Sequence, residues 1–241
     1  MNRRRCDAGP RIQDVKDAKA SNEFWSEPER VEEFARREPD LRLAAILNDY
    51  PTPTHTRVLD LGCAGGRNLR LLMQRGFDAY ALDLAEGMVE RARSEIAPLC
   101  GEAEAERRVM LRGVEDLSFA EDASFELVVA LGILHMAPDE PSLHALIAET
   151  SRILVPDGRL LVAIFGPGTM MDGDALESVP GDRFAHLTPE GRGITLVSAA
   201  DLDEVMAHHD LEPVVPTETV ERDRKGTHRV VNNGLYRKVR T

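Results

Sequence analysis

The segment VLDLGCAGGRN, residues 58–68, decides the prediction of the fold, because it joins an apolar stretch directly to a glycine-rich turn. An apolar strand followed by such a turn and then a helix is typical of the ligand-binding edge of an α/β sheet. Within the segment, Asp60 stands two residues before the first glycine, Gly62. The turn therefore predicts a ligand that is compatible with a carboxylate beside it.

Strand patterns and helix patterns alternate along the rest of the sequence. The strand-like segments are RVLDL, FDAYALDL, RRVMLRG, SFELVVALGIL and GRLLVAIF, and the helix-like segments are GRNLRLLMQRG, AEGMVERARSEI, PSLHALIAETSRIL and VSAADLDEVMAHH. Such alternation predicts a mostly parallel sheet with helices on both faces. Two extended segments about the turn RKG, residues 224–226, predict a terminal antiparallel hairpin. We therefore predict an α/β fold with a doubly wound, mostly parallel seven-stranded sheet that ends in this hairpin.

The sequence divides into four segments of different character. Residues 1–20 are polar and without clear period, so we expect them to be disordered or frayed. Residues 21–50 predict two short helices, which we interpret as an N-terminal helical lid. Residues 52–241 contain the alternating pattern and form the predicted main domain. Within that domain, residues 167–197 have no regular pattern, and a stretch of that length predicts an insertion that serves as a substrate loop.

Composition excludes several classes of protein. The 241 residues carry a formal net charge of −12, which disfavours nucleic acid as a partner because an acidic surface repels phosphates. The three cysteines form no CxxC pair, so we expect neither a disulfide framework nor a metal site, and the protein suits the reducing cytoplasm. No apolar run approaches the roughly 20 residues of a membrane helix, and the first residues lack the apolar stretch of a secretory signal. We therefore expect a cytoplasmic protein without a membrane partner.

Two classes of ligand compete for the glycine-rich turn. The NAD fingerprint GxGxxG, counted from Gly62, would require glycine where the sequence has Ala64 and Arg67. A pyrophosphate on this turn would also face the negative charge of Asp60. S-adenosylmethionine carries an ammonium and a sulfonium and has no phosphate, so the carboxylate favours this ligand over NAD.

A second carboxylate, Asp83, follows the first glycine by about 20 residues and ends a strand-like segment. At that position a carboxylate binds the hydroxyls of a ribose. NAD-binding proteins share this feature, and the alternative is that Asp83 caps the helix that begins at Ala85. The residues alone leave both roles open.

The segments VLDLGCAGGRN, ALDLAEGMVERAR, GVEDLSFAEDASFELVVALGILHM and LIAETSRILVPDGRLLVAIF resemble successive motifs of the class I S-adenosylmethionine-dependent methyltransferases. They occur in the order and at the spacing of that family across residues 57–166. The resemblance implies the Rossmann-like methyltransferase fold, S-adenosyl-L-methionine as co-substrate and S-adenosyl-L-homocysteine as product. One departure is Ala64, which replaces the middle glycine of the usual DxGxGxG. Further segments resemble the ubiquinone-type and tellurite-resistance-type small-molecule enzymes.

The resemblance also implies which residues bind the cofactor. Asp60 and the turn would hold its methionine part, Asp83 its ribose, and residues 113–115 its adenine. Arg42 matches an arginine that reaches the cofactor carboxylate in ubiquinone-type enzymes, although a solvated helix arginine is an equally open interpretation. The complete set of implied cofactor-binding residues is Arg42, Asp60, Gly62, Cys63, Ala64, Gly65, Gly66, Asn68, Asp83, Leu84, Met88, Val114, Glu115 and Leu131.

The candidate for acid–base catalysis is His135 in GILHMAP, immediately after the fourth strand-like segment. Its neutral form could accept a proton from a methyl acceptor, although a structural histidine is the alternative. The acidic charge and the absence of an Asn/Asp-Pro-Pro-Tyr motif favour a small-molecule acceptor with an oxygen, nitrogen or sulfur nucleophile. A thiol or chalcogen acceptor would need no base. The residues also leave open a catalytically silent cofactor-binding scaffold, a less favoured NAD-dependent oxidoreductase, and the oligomeric state.

Overall fold

A mostly parallel β-sheet lies at the centre of the computed structural model, which describes residues 22–224 and 227–240. The expectation for residues 1–20 falls outside the described residues. The helices are α1 (Pro28–Ala35), α2 (Leu41–Ile46), α3 (Arg67–Gln74), α4 (Glu86–Cys100), α5 (Glu102–Arg108), α6 (Glu140–Ile153) and α7 (Ala199–Ala207). The strands are β1 (Arg57–Leu61), β2 (Asp78–Asp83), β3 (Val109–Leu111), β4 (Phe125–Leu131), β5 (Leu154–Phe165), β6 (Met170–Met171), β7 (Asp174–Ala175), β8 (Glu177–Ser178), β9 (Ala185–Leu187), β10 (Gly193–Thr195), β11 (Leu211–Pro213), β12 (Glu218–Arg224) and β13 (Thr227–Lys238).

The strand order of the central sheet is β11-β13-β5-β4-β1-β2-β3, with β12 also paired to β13. The pairs among β1 to β5 are parallel, whereas β13 is antiparallel to β5, β11 and β12. β11 and β12 pair with different parts of β13 on the edge opposite to β5, so they share one position. The sheet is thus seven positions wide and contains eight strands. The predicted doubly wound sheet with a terminal hairpin is confirmed.

Apolar residues of the central strands alternate between two cores, because successive side chains of a strand point to opposite faces. Leu59 of β1 and Val128 of β4 pack on the face that is covered by α6 and α7. Val58 and Val129 pack on the other face, against α3 and α4. Helices therefore cover both faces of the sheet, and only its strand ends remain open for a site.

Residues 167–197 differ from the irregular loop that the sequence predicts. They form two small antiparallel sheets, β6–β7 and β10-β9-β8. Asp172 and Gly173 join β6 to β7, with φ angles of 52° and 88°. A two-residue Asp-Gly turn with both φ angles positive is a strong hairpin signal, and the sequence contains it. The adjacent strands are only two residues long, which is why their apolar pattern could not be recognised.

A second difference concerns residues 102–108, which form α5 although no helix is predicted there. Their alternating Glu, Ala and Arg give the segment little apolar periodicity. Glu104 forms hydrogen bonds with both Arg107 and Arg108, three and four residues later, and such pairs on the surface of a helix stabilise it.

Among the described residues, no helix combines the length and apolar character needed to cross a membrane.

The backbone of Gly66 lets α3 approach α4 closely. Its φ of +84° lies in the left-handed region, and a Cβ atom there would lie 2.9 Å from the Cα atom of Ala92 in α4. Gly76 after α3 has nearly the same φ, +82°, but nothing lies within 4 Å of a Cβ atom built on it. The two glycines therefore differ in available space and not in backbone conformation.

This contrast predicts unequal effects of the same substitution. We expect Gly76→Ala to lower the free energy of unfolding by about 1 kcal/mol, the cost of the left-handed backbone. Gly66→Ala should lower it by about 3 kcal/mol, because overpacking against Ala92 adds to that strain. Urea unfolding of the two variants and the parent measures both values. Equal losses would show that α4 does not constrain position 66.

Candidate active site

The carboxyl ends of β1, β2 and β4 meet at one edge of the sheet, and residues 62–66 form a turn there. The turn is joined to β2 by a 3.0 Å hydrogen bond from the backbone N of Cys63 to the carbonyl of Leu82. Gly62 has a φ of +65°, and a Cβ atom there would lie 2.8 Å from Cδ1 of Ile133, which follows β4. Glycine is therefore required for both the conformation and the close packing of this turn.

Ala64 occupies a left-handed conformation, with a φ of 48°. This is the position of the middle glycine in the family pattern, and alanine adopts the same backbone at a cost of roughly 1–2 kcal/mol. The backbone N–H of Ala64 donates to Oδ2 of Asp83 at 2.9 Å. That bond to a carboxylate helps to hold the strained residue in place.

Asp83 connects the turn to the start of α4. Its Oδ1 accepts from the backbone N of Ala85 at 2.9 Å, while Oδ2 accepts from Ala64. Burial raises the pKa of Asp83, although these backbone hydrogen bonds act in the opposite direction. Asp83 thus binds the backbone at the start of α4, which is one of the two roles that the sequence leaves open for it. Each carboxylate oxygen has a second lone pair, so the same side chain retains capacity to accept from a ligand.

Asp60 is the most unusual group of the edge, because its carboxylate is 2% exposed and its Oδ2 has no hydrogen-bond partner among the described residues. Burial raises the pKa of Asp60 to about 7; the nearby charge of Asp83 adds to this shift, and that of Arg67 opposes it. A buried, unpartnered carboxylate oxygen is costly unless a donor or a cation completes its environment. The site is therefore chemically suited to a cationic ligand.

Arg67 is a member of the site that sequence reasoning missed. Its Nη1 donates to the carbonyl of Glu38 at 2.7 Å, so it ties α3 to the segment before α2. Burial lowers the pKa of Arg67, and the charges of Asp60 and Asp40 oppose that shift. In the sequence, Arg67 stands directly after Gly66. There it served only as a departure from the NAD fingerprint, and its positive charge beside Asp60 was not considered.

Asn68 and Arg42 are both engaged by the chain itself. Oδ1 of Asn68 accepts from the backbone N of Asp40 at 3.0 Å. The guanidinium of Arg42 bonds Asp40, with Nη2 2.7 Å from Oδ2, and also bonds Oδ1 of Asn233. A cofactor carboxylate would have to share Arg42 with Asp40, so the predicted contact of Arg42 stays a prediction.

The residues predicted around the adenosine lie at the β2 and β3 side of the edge. Met88 is buried with Val31 and Ala85, whereas Leu84 is 40% exposed. Val114 is half-buried and Glu115 is exposed. The Glu115 carboxylate lies against Gly113, so close that a Cβ atom on this glycine would be 2.0 Å from its Oε1. Cys63 and Gly65 lie in the turn of residues 62–66, and Leu131 is the last residue of β4.

His135 lies in a short 3-10 turn, Leu134–Met136, just beyond β4. Its ring stacks on that of Phe165, with centroids 3.8 Å apart and planes inclined by 20°. Burial, followed by the positive charge of Arg229, lowers the pKa of His135 to about 3. The imidazole is therefore neutral at pH 7 but a weaker base than the sequence suggests, because burial penalises its charged form.

The described residues include no group of three or more His, Cys, Asp or Glu side chains that could hold a metal ion.

Asp60, Asp83 and His135 each carry a shifted pKa, and all three stand at or just beyond the carboxyl ends of β1, β2 and β4. Perturbed pKa values grouped in this way are typical of a functional site.

The sequence is similar to known methyltransferases. Residues 58–158 match the methyltransferase domain family. A ubiquinone biosynthesis O-methyltransferase of Xanthomonas oryzae is 32% identical over 137 residues, which are 56% of this chain and 53% of the relative. A malonyl-[acyl-carrier protein] O-methyltransferase of Halorhodospira halophila is 34% identical over 152 residues, 61% of this chain and 48% of the relative. The matches span about half the length of these two curated relatives.

Solved structures with the same fold cover nearly the whole chain. The 1,6-didemethyltoxoflavin-N1-methyltransferase of Burkholderia thailandensis, solved with S-adenosylhomocysteine, is 22% identical with a TM-score of 0.62, covering 94% of this chain and 85% of its own. Magnesium protoporphyrin IX methyltransferase of Synechocystis, solved with S-adenosylmethionine, is 15% identical with a TM-score of 0.62, covering 96% and 99%. Residues 58–158 thus match a methyltransferase domain, in agreement with the S-adenosylmethionine-dependent family that the motifs resemble, and the solved structures share the fold of this chain.

The raised pKa of Asp60 predicts a pH-dependent stability. Between the unfolded pKa near 4 and the folded pKa of about 7, the folded state binds the extra proton, so stability falls as pH rises through this window. Asp60→Asn removes this dependence. We expect the variant to gain stability over the parent at pH 8 relative to pH 5 by about 2.7 kcal/mol at most, since about two pH units of the window lie above pH 5.

Urea unfolding at the two pH values measures this difference. The exposed Asp122 provides the control, since Asp122→Asn should give nearly the same change at pH 5 and pH 8. If Asp60→Asn also gives equal changes at the two pH values, then Asp60 is not a buried carboxylate with a raised pKa.

Proposed function

We propose that this protein is an S-adenosylmethionine-dependent methyltransferase that acts on an oxygen atom of a small molecule. The observation that carries the proposal is the unpartnered Oδ2 of Asp60, buried beside the left-handed turn of residues 62–66. A site with a free carboxylate oxygen suits the ammonium group of S-adenosylmethionine. The same oxygen would repel the pyrophosphate of NAD, so an oxidoreductase is disfavoured.

The residues present fit this cofactor in type and position. Asp60 would accept from its ammonium group, and Asp83 would accept from the ribose hydroxyls with the lone pairs that its two backbone contacts leave free. Leu84 and Met88 would flank the adenosine. A catalytically silent scaffold is disfavoured because the glycines at 62 and 66 and both carboxylates are retained.

Positioning and water exclusion are the tasks that the chain performs in methyl transfer. The chemistry that the cofactor supplies when bound is a methyl group activated by an adjacent sulfonium. Asp60, Asp83 and the turn would hold the cofactor in one orientation. Residues 22–50, which pack against the turn, would keep water away from it. His135 stands at the end of β4 as a neutral hydrogen-bond acceptor rather than as a strong base.

Oxygen is the acceptor atom that the relatives favour. The two curated relatives described above are named O-methyltransferases, although one structural neighbour is named an N1-methyltransferase. A thiol is the second candidate, because the lowered pKa of His135 suits a nucleophile that attacks without a base.

The proposed cover contacts the site at several points. Backbone atoms of Ala35 in α1 approach Gly65 so closely that a Cβ atom there would lie 2.6 Å from the Ala35 Cβ. Arg67 and Asn68 bind the carbonyl of Glu38 and the backbone N of Asp40. The hydroxyl of Ser26 accepts from the backbone N of Gly87 in α4 at 3.2 Å. These contacts support a lid that depends on the geometry of the turn.

Hydrogen exchange tests whether the cover responds to the cofactor. We expect S-adenosylhomocysteine to slow exchange in residues 22–50 by roughly tenfold, because an ordered turn stabilises the contacts of Ala35, Glu38 and Asp40. Residues 199–207 of α7, on the opposite face, provide the internal control and should not change. Equal protection of residues 22–50 with and without the ligand would contradict a lid.

Isothermal titration with S-adenosylhomocysteine tests the cofactor. We expect the parent to bind it, and Asp83→Ala to bind roughly a hundredfold more weakly, since a carboxylate that bonds both ligand and turn is lost. Asp78→Ala is the matched control, because Asp78 lies at the other end of β2, where it pairs with Arg108 at 2.8 Å. Unchanged affinity in Asp83→Ala, or binding of NAD by a parent that ignores S-adenosylhomocysteine, would contradict the proposal.

A further inference from the structure

Two buried polar atoms besides that of Asp60 lack a hydrogen-bond partner among the described residues. They are Nδ1 of His135 and Oγ1 of Thr195. The side chains are almost fully buried, at 6% and 0% exposure. Unpartnered buried polar groups are rare and costly, so two of them in one region indicate a ligand.

The two residues lie on segments that pack together. β10, which ends at Thr195, packs against the turn Leu134–Met136. On one side of Thr195, Gly193 approaches Pro138 so closely that a Cβ atom on the glycine would lie 3.0 Å from the proline Cβ. On the other side, the backbone N of Val197 donates to the carbonyl of Phe165 at 3.0 Å. Thr195 therefore lies between two points at which its segment contacts the segments that carry His135 and Phe165.

This region adjoins the cofactor turn. Ile133, two residues before His135, lies against Gly62. The segment that carries His135, and that β10 packs against, therefore adjoins the turn of residues 62–66 beyond the carboxyl end of β4.

Other buried threonines of the chain satisfy their hydroxyl groups. Thr169 donates to the carbonyl of Gly166 at 2.8 Å and accepts from the backbone N of Val230 at 3.2 Å. Thr150 in α6 donates to the carbonyl of Leu146 at 2.8 Å. The fold thus provides partners for threonines in similar surroundings, and the unpartnered hydroxyl of Thr195 is a local exception.

The hydrogen-bonding capacities of His135 and Thr195 determine which chemical group of a ligand could bind both of their unpartnered atoms. When the neutral imidazole of His135 carries its proton on Nε2, Nδ1 is an acceptor, and Thr195 offers an O–H donor. A hydroxyl group donates to Nδ1, accepts from Thr195 with one lone pair and keeps the other for attack. An amine has one lone pair and could not do both. A carboxylate has no proton to donate, and a thiol is weak in both roles.

We propose that His135 and Thr195 form the acceptor-specificity pair of the site and select a small molecule with an alcoholic or phenolic hydroxyl group. The inference rests on the proposed methyltransferase function. Phe165 stacks on the imidazole and thereby restricts the plane in which its ring nitrogens lie.

The test uses the full chain, methyl-labelled S-adenosylmethionine and a small-molecule extract of bacterial cells, with labelled products identified by mass. We expect the methylated acceptors to carry hydroxyl groups. For the most strongly labelled acceptor, Thr195→Val should raise KM at least about tenfold, the effect of one lost hydrogen bond to a buried site, with a smaller change in kcat. The melting temperature of this variant should equal or exceed that of the parent, since an unpartnered buried hydroxyl is removed.

Thr150→Val is the matched control, because it removes a hydroxyl of equal burial that is already satisfied within α6. We expect it to leave KM unchanged and to lower the melting temperature. An unchanged KM in Thr195→Val, a melting temperature lowered as in the control, or label on thiols or amines alone would each overturn the inference. If the parent binds S-adenosylhomocysteine but labels no small molecule, the proposed function itself fails, and the inference fails with it.

Discussion

The burial of one carboxylate, that of Asp60, is the constraint on which the candidate site depends. Asp60 lies on a central strand, so a ligand at the strand ends meets a nearly water-free oxygen that lacks a partner among the described residues. In that environment the interaction with a cation is much stronger than at a surface. The left-handed turn, the close packing of Gly62 and Gly66, and the bond from Ala64 to Asp83 are the means by which the chain brings backbone and ligand near this oxygen.

The N-terminal helices lie against the same turn. α1 contacts it through Ala35, which lies close to Gly65. Arg67 contributes a positive charge near Asp60 and a bond to Glu38, so it relates the electrostatics of the site to the position of the cover. The charge environment of Asp60 and the packing of the N-terminal segment therefore depend on the same residue, Arg67.

Features that depend on local patterns were predictable from the sequence, and features that depend on contacts between distant segments were not. The alternating strands and the turn with Asp60 could be recognised because each depends on a pattern within a few residues. The unpartnered atoms of His135 and Thr195 could not, because their burial arises where residues sixty positions apart pack together. The contacts of Arg42 with Asn233 and the part played by Arg67 were missed for the same reason.

The place of β13 in the sheet has a consequence for the order in which the protein assembles. β5 is a long strand with a mostly buried second half, and one of its edges pairs with β13, which is synthesised after β5 and after the intervening residues 166–226. Until then that edge offers unpaired backbone groups to other chains. β12 and β13 are neighbours in sequence and form a hairpin through local contacts, which is a fast event. The hairpin can therefore form first and dock as a unit, so that the exposed edge of a nascent chain is closed in one step.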